Sequence, residues 1–184
     1  MGIVLFAAAS AFVLLAACRG SESGQTNNAE GNSSATASAP ATINASLIAT
    51  PVSKTAAATI MHERHEGMEA IGKSNKAIRR ALEGGTPDLA MVRSSSAKIA
   101  GLSRKASGWF PAGTGPNVGK TGAKPEIWQN PQDFAAKLSA FQKAAQAFNA
   151  TAAGSDVNAT KAGFGELGKA CKACHDKYRA EMKH

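Results

Sequence analysis

From residue 54 onward, apolar side chains recur at intervals of three and four, the spacing that lines one face of an α-helix. In the first such stretch Ile60, Arg64, Met68, Ile71, Asn75, Ile78 and Leu82 form one stripe, which stops at Gly84-Gly85, as helix C-termini commonly do. A second stripe, Leu89, Val92, Ile99, Leu102 and Ala106, follows Thr86-Pro87-Asp88, read as an N-cap with proline at the first helical position. A third, Phe134, Leu138, Phe141, Ala145 and Phe148, follows Asn130-Pro131, again a cap and a proline. A fourth, Phe164, Leu167, Cys171, Cys174 and Tyr178, follows Gly154-Ser155-Asp156. No window alternates apolar and polar positions with β-branched residues, so no sheet is expected. The pattern predicts an all-α fold, an antiparallel four-helix bundle over residues 54–184.

One connection is long. Residues 108 to 130, "GWFPAGTGPNVGKTGAKPEIWQN", are rich in Gly and Pro, and a loop of this length in a compact domain is usually functional or disordered. Trp109, Phe110, Ile127 and Trp128 predict that this one packs against the bundle.

Ahead of the helices the pattern changes twice. Residues 1–18, "MGIVLFAAASAFVLLAAC", form an apolar run too short for a membrane span and of the length of a secretory h-region. No Lys or Arg precedes it, unlike most signal peptides. Its end, Leu15-Ala16-Ala17-Cys18, resembles the lipobox of bacterial lipoproteins, which predicts lipid on Cys18 after cleavage; an ordinary cleaved signal is the alternative. Residues 19–53 are mostly Ser, Ala, Thr, Asn and Gly, too poor in large apolar groups to offset the entropy of ordering, and read as a flexible tether. The expected product faces the periplasm, tethered to a membrane or soluble after cleavage.

The chain of 184 residues carries 21 Lys plus Arg against 13 Asp plus Glu, a formal net charge of +8. Such a balance suits an acidic partner or a membrane surface; nucleic acid is not expected outside the cytoplasm. On the fourth helix Lys169, Lys172, Lys177, Arg179 and Lys183 form a basic set suited to steering an acidic redox partner.

Three cysteines are present, and beyond Cys18 only Cys171 and Cys174 remain. Cys171-Lys172-Ala173-Cys174-His175 has the form C-x-x-C-H, the attachment signature of c-type haem. On a helix these three residues stand at i, i+3 and i+4 and share a face, the core face of the fourth stripe. Two thiols can then bond the two vinyl groups of one haem, with the imidazole beneath the iron. Zinc would need two further ligands, and the other histidines are His62, His65 and His184. A thiol redox pair calls for a βαβ context, and an exported chain could instead close a disulfide. The export signal and the helical context favour haem.

The sequence resembles class II c-type cytochromes, the cytochrome c′ group, over residues 57 to 182. "GKACKACHDKYR" resembles the family's haem-attachment helix, "ERHEGMEAIG" its Arg-x-x-x-Met segment over the distal haem face, and "FPAGTG…AKPEIW" the loop that closes the pocket. The resemblance implies one haem c per chain, held by Cys171 and Cys174, with His175 as fifth iron ligand. Met68 stands where one branch of the family ligates the iron in a low-spin haem and the other leaves the site to small gases. "GKSNKAIRRALEGG" looks more like the methionine-ligated branch. Arg64 stands where the family has an arginine near the propionates. His65 replaces a frequent glutamine and is a candidate propionate partner. Thr114 and Gly115 fall where the loop backbone nears the haem, and Arg179 flanks the proximal side of His175. A homodimer through the first two helices is a family habit that the resemblance leaves open. The function so implied is one-electron transport. A gas-binding haem protein and a non-haem envelope lipoprotein with a Cys171–Cys174 disulfide are the competing readings. No catalytic base, triad or nucleotide loop stands out, and no enzyme is expected.

Overall fold

The computed structural model describes Ser46, Ile48 and residues 51 to 181. The signal segment, Cys18, most of the expected tether, and Lys183 and His184 lie outside the described residues. The elements are α1 (Lys54–Glu83), α2 (Leu89–Lys105), a 3-10 turn (Ala106–Gly108), a short α3 (Glu126–Gln129), α4 (Pro131–Ala152) and α5 (Val157–Tyr178). Among the described residues there is no strand, only isolated bridges pairing Pro51 with Ala112 and Ala123 with Arg179.

Side-chain oxygens start three of the long helices by taking up amides that lack a helical partner. Ser53 Oγ accepts from Ala56 N (3.3 Å), Asp88 Oδ1 from Met91 N (2.9 Å), and Asp156 Oδ1 from Asn158 N (2.8 Å) and Ala159 N (3.0 Å). The second cap is therefore Asp88, with Pro87 outside the helix, and not Thr86 as the Thr-Pro-Asp string suggested. At α4, proline takes the first position as expected, but Asn130 gives its side chain to Glu126 O (3.2 Å) and caps with no side-chain bond.

α1 packs on α2, α2 on α4 and α4 on α5, whereas α1 and α5 scarcely touch. The α4 stripe is buried as the pattern required: Phe134, Leu138, Phe141, Ala145 and Phe148. On α1 the buried line is Ala57, Arg64, Gly67, Ile71, Ser74, Ile78 and Leu82, so Met68 and Asn75, expected within it, sit half-buried at its flank. The α2 interface includes Ser95, Ser96 and Ser103, which the apolar pattern passed over. Their burial is tolerable because hydroxyls turn back onto the helix, Ser96 Oγ to Arg93 O (2.9 Å) and Ser103 Oγ to Ala100 O (2.9 Å). From α4, Gln142 Nε2 donates to Ser103 O (2.8 Å).

The long loop packs as its aromatic residues predicted. Trp109, Phe110 and Ile127 are buried, and Trp128 Nε1 donates to Phe110 O (3.1 Å) and Pro111 O (3.0 Å). Phe110 meets Phe134 edge-on (4.7 Å between centroids), and Phe134 meets Tyr178 (5.1 Å). The folded unit also starts upstream of residue 54. Ile48 is 1% exposed within the core, and Val52 N donates to Ala112 O (3.1 Å).

Candidate functional site

The chemistry-bearing face of α5 is set by helical geometry alone. Cys171, Cys174 and His175 follow within four residues, all half-buried, and both cysteines are free thiols. Burial pushes the Cys171 thiol up and the Cys174 thiol up to about 11, so both stay protonated. Burial, and then the charge of Arg179, pulls His175 below its usual value. Its imidazole is neutral near pH 7 and has a lone pair to offer. Among the described residues no cluster of three or more His, Cys, Asp or Glu is placed to hold a metal ion. His62 is exposed.

Further candidate chemistry lies on α1 and the long loop. Met68 is half-buried against the core, as are Phe164, Cys171 and Cys174 on α5. These apolar groups belong to the two helices that do not pack on each other.

Arg64, one turn before Met68, is 4% exposed. Nη1 donates to Trp109 O (3.0 Å) and Thr114 Oγ1 (3.2 Å), and Nη2 to Thr114 O (2.9 Å) and Thr121 Oγ1 (2.9 Å). The guanidinium also lies 5.2 Å from the Phe110 ring centroid. Burial pulls its pKa down to about 10, which leaves it charged at neutral pH. Thus its charge is neither solvated nor snorkelling: it holds the loop onto α1, and a propionate contact would be made in addition to these bonds. Thr114 is fully buried and donates to Pro111 O (2.8 Å). A Cβ on Gly115 would come within 3.2 Å of the Trp128 ring, so glycine lets the loop backbone lie against that indole. His65 points away from this arrangement, exposed, with Nε2 3.4 Å from Glu69 Oε1.

The loop's far end grips the end of α5. Lys124 N donates to Tyr178 O (3.0 Å) and Ala180 N to Gly122 O (2.9 Å). Arg179 is exposed, and its backbone N–H closes α5 on His175 O (3.1 Å). The Tyr178 hydroxyl bonds Asp133 of α4, which also takes Lys177 Nζ (2.9 Å). Of the basic set on α5, Lys169 pairs with Glu166 (2.7 Å), Lys172 with Asp176 (2.5 Å) and Lys177 with Asp133 (2.9 Å). That face is less positive than its Lys and Arg count implied.

Thr121, Gly67 and Asp133 were not singled out in the sequence. A glycine inside a helix was the available signal for Gly67, since its Cβ would fall 2.2 Å from the Trp109 ring. Thr121 carried no signal, as its partners lie far away along the chain.

A porphyrin with two vinyl groups suits two free thiols a helical turn apart beside a neutral imidazole, on a half-buried flank of α5. The residues present fit haem c.

Comparison with known proteins gives the same direction. A family profile described as Cytochrome C' matches residues 59–179. The cytochrome c' of Allochromatium vinosum is 37% identical over 121 residues, 64% of this chain and 78% of that one. The crystal structure of cytochrome c' from Thermochromatium tepidum superposes with a TM-score of 0.63 at 32% identity, covering 71% of this chain and 98% of that chain. Another cytochrome c' structure, described as having an unusual ligand-controlled dimer dissociation, matches with a TM-score of 0.63 at 32% identity, over 72% of this chain and 100% of that one.

Proposed function

Since this chain belongs to the cytochrome c′ family of class II c-type cytochromes, we propose that it is a periplasm-facing one-electron carrier whose iron is held by His175. Its cofactor is haem c. The observation that carries the reading is the set Cys171, Cys174 and His175, half-buried on one face of α5, with Met68 half-buried against the same core. When bound, the haem supplies the reversible ferric–ferrous couple. The chain's own residues hold and tune it. Cys171 and Cys174 form the thioethers, and His175 offers a neutral imidazole from a partly desolvated position. Met68 is the candidate sixth ligand, a soft thioether that favours ferrous iron and raises the potential. Arg64, Thr114 and Gly115 shape the distal wall, and Arg179 brings positive charge beside His175. His65 has its place on the propionate side only if its side chain leaves Glu69.

The chain's approach to a partner is electrostatic in this reading. A net charge of +8 suits an acidic redox protein. Lipid on Cys18 would keep the domain at a membrane surface.

A gas-binding role is the second reading, favoured by the relative in which a ligand controls dimer dissociation. A homodimer belongs with it. Absorption spectra of the ferric and ferrous protein, with and without carbon monoxide, test both. Low-spin spectra indifferent to carbon monoxide support the carrier. High-spin spectra that shift with it overturn Met68 ligation and support gas binding. Colour lost on acid–acetone extraction overturns covalent attachment.

A further inference from the structure

The loop between α2 and α4 holds both α1 and α5, and the two grips meet at one hydroxyl. On the α1 side Arg64 Nη2 donates to Thr121 Oγ1 (2.9 Å). On the α5 side Ala123 N donates to the same oxygen (3.1 Å), and Ala123 forms the bridge to Arg179. Gly122 and Lys124, its neighbours, carry the backbone bonds to Ala180 and Tyr178. A hydroxyl has two acceptor lone pairs, and both are used here. Thr121 to Ala123 therefore span from a buried guanidinium on α1 to the backbone at the end of α5. Arg64 stands one turn before Met68, and Tyr178 lies three residues after His175. With α1 and α5 scarcely packed on each other, the loop is the link between these two turns that runs beside the packing through α2 and α4.

We propose that Thr121 is a positioning residue that fixes the separation of the α1 turn bearing Met68 from the α5 turn bearing His175, and so sets whether the sixth iron position is closed by the protein or open to a diatomic ligand. The proposal rests on the reading above, in which those two turns face the haem. The Arg64 end of the path is a charge-assisted bond, stronger than a neutral one. Losing the shared acceptor leaves Arg64 and the Ala123 amide each one partner short. Metal-site geometry is sensitive to displacements of about half an ångström. A Met68 thioether drawn back by that much would no longer hold its place.

The test uses the holoprotein as wild type, Thr121→Val and Thr121→Ser. The Val form keeps the branched shape without the acceptor, and Ser keeps the oxygen. Two quantities are read: the carbon monoxide association rate of the ferrous protein, and amide hydrogen exchange at Ala123, Lys124 and Ala180. Val is expected to raise the association rate by roughly fivefold or more and to speed exchange at all three amides, with Ser close to wild type in both. A Val variant with faster exchange but an unchanged association rate overturns the proposal, since Thr121 would then only hold the loop. Should Val not accumulate, the wild type decides. Carbon monoxide is expected to change exchange at Ala123 and Ala180, and unchanged exchange there overturns the proposal. A wild type without covalent haem overturns the functional reading as well, and shows it before any variant is made.

Discussion

Arg64 and Met68 lie on successive turns of one helix but not in one surrounding. The arginine is enclosed by carbonyls and hydroxyls of the loop, so its burial is compensated without a carboxylate. The methionine is left half-covered at the flank, where its flexible thioether can adapt to what it meets. If Met68 closes the sixth position, Met68→Leu removes the only soft donor on that turn. The variant is expected to turn from low-spin to high-spin in both oxidation states and to bind carbon monoxide readily. A variant spectrum identical to wild type counts against ligation.

At the scale of elements, two contacts decide how the helices meet. Trp109 lies on α1 because Gly67 has no Cβ there; an added methyl group would fall 2.2 Å from the indole. Gly67→Ala gains helix propensity of roughly 1 kcal/mol yet forces a buried ring to move, which costs about 1–3 kcal/mol. A net loss of stability of about 1 kcal/mol is expected in urea titrations. Gly101 of α2 has open space at its Cβ, and Gly101→Ala is expected to stabilise by roughly 0.5–1 kcal/mol in the same assay. The second contact joins α4 to α5 at Asp133. The hydrogen bond from Tyr178, and next that from Lys177, hold this carboxyl below its usual 3.8. A carboxyl depressed in the folded state stabilises it above pH 3.8 and loses that contribution as the pH falls through its folded value. Asp133→Asn should therefore leave a shallower decline of stability on the acid side, measured by thermal unfolding between pH 2 and pH 5. An unaltered acid limb would show that the contact has no energetic weight.

The molecule as a whole is basic, and several lysines of α5 are locally paired. Along α5 three of the lysines have carboxylate partners, so if an acidic protein is the partner, its attraction would come more from the surface at large than from that helix. The association rate with the physiological acceptor is expected to fall as salt rises, but gently, because local pairs screen the face nearest the haem helix. Stopped-flow rates across ionic strength measure this, and a rate that rises with salt would rule out steering by opposite charge.

Much of this was written in short-range order. The 3.6-residue period placed α1, α2, α4 and α5, and the stripe Phe134 to Phe148 was buried as read. Cys171, Cys174 and His175 share a face because helix geometry fixes residues three and four apart, whatever surrounds them. Chain neighbours are enough to determine such features. Other features had no such source. Asp88 rather than Thr86 caps α2, Ser95, Ser96 and Ser103 replace part of its apolar stripe, and Met68 lies at the flank rather than within the buried line. Arg64 found its partners in residues 109 to 121, and Thr121 became an acceptor shared by Arg64 and the Ala123 amide, through contacts between residues up to 57 apart in the chain. A period tells which side of a helix is apolar. Which neighbour covers that side, and which polar group must then be bonded, depends on how the helices are brought together, and only the tertiary structure decides that.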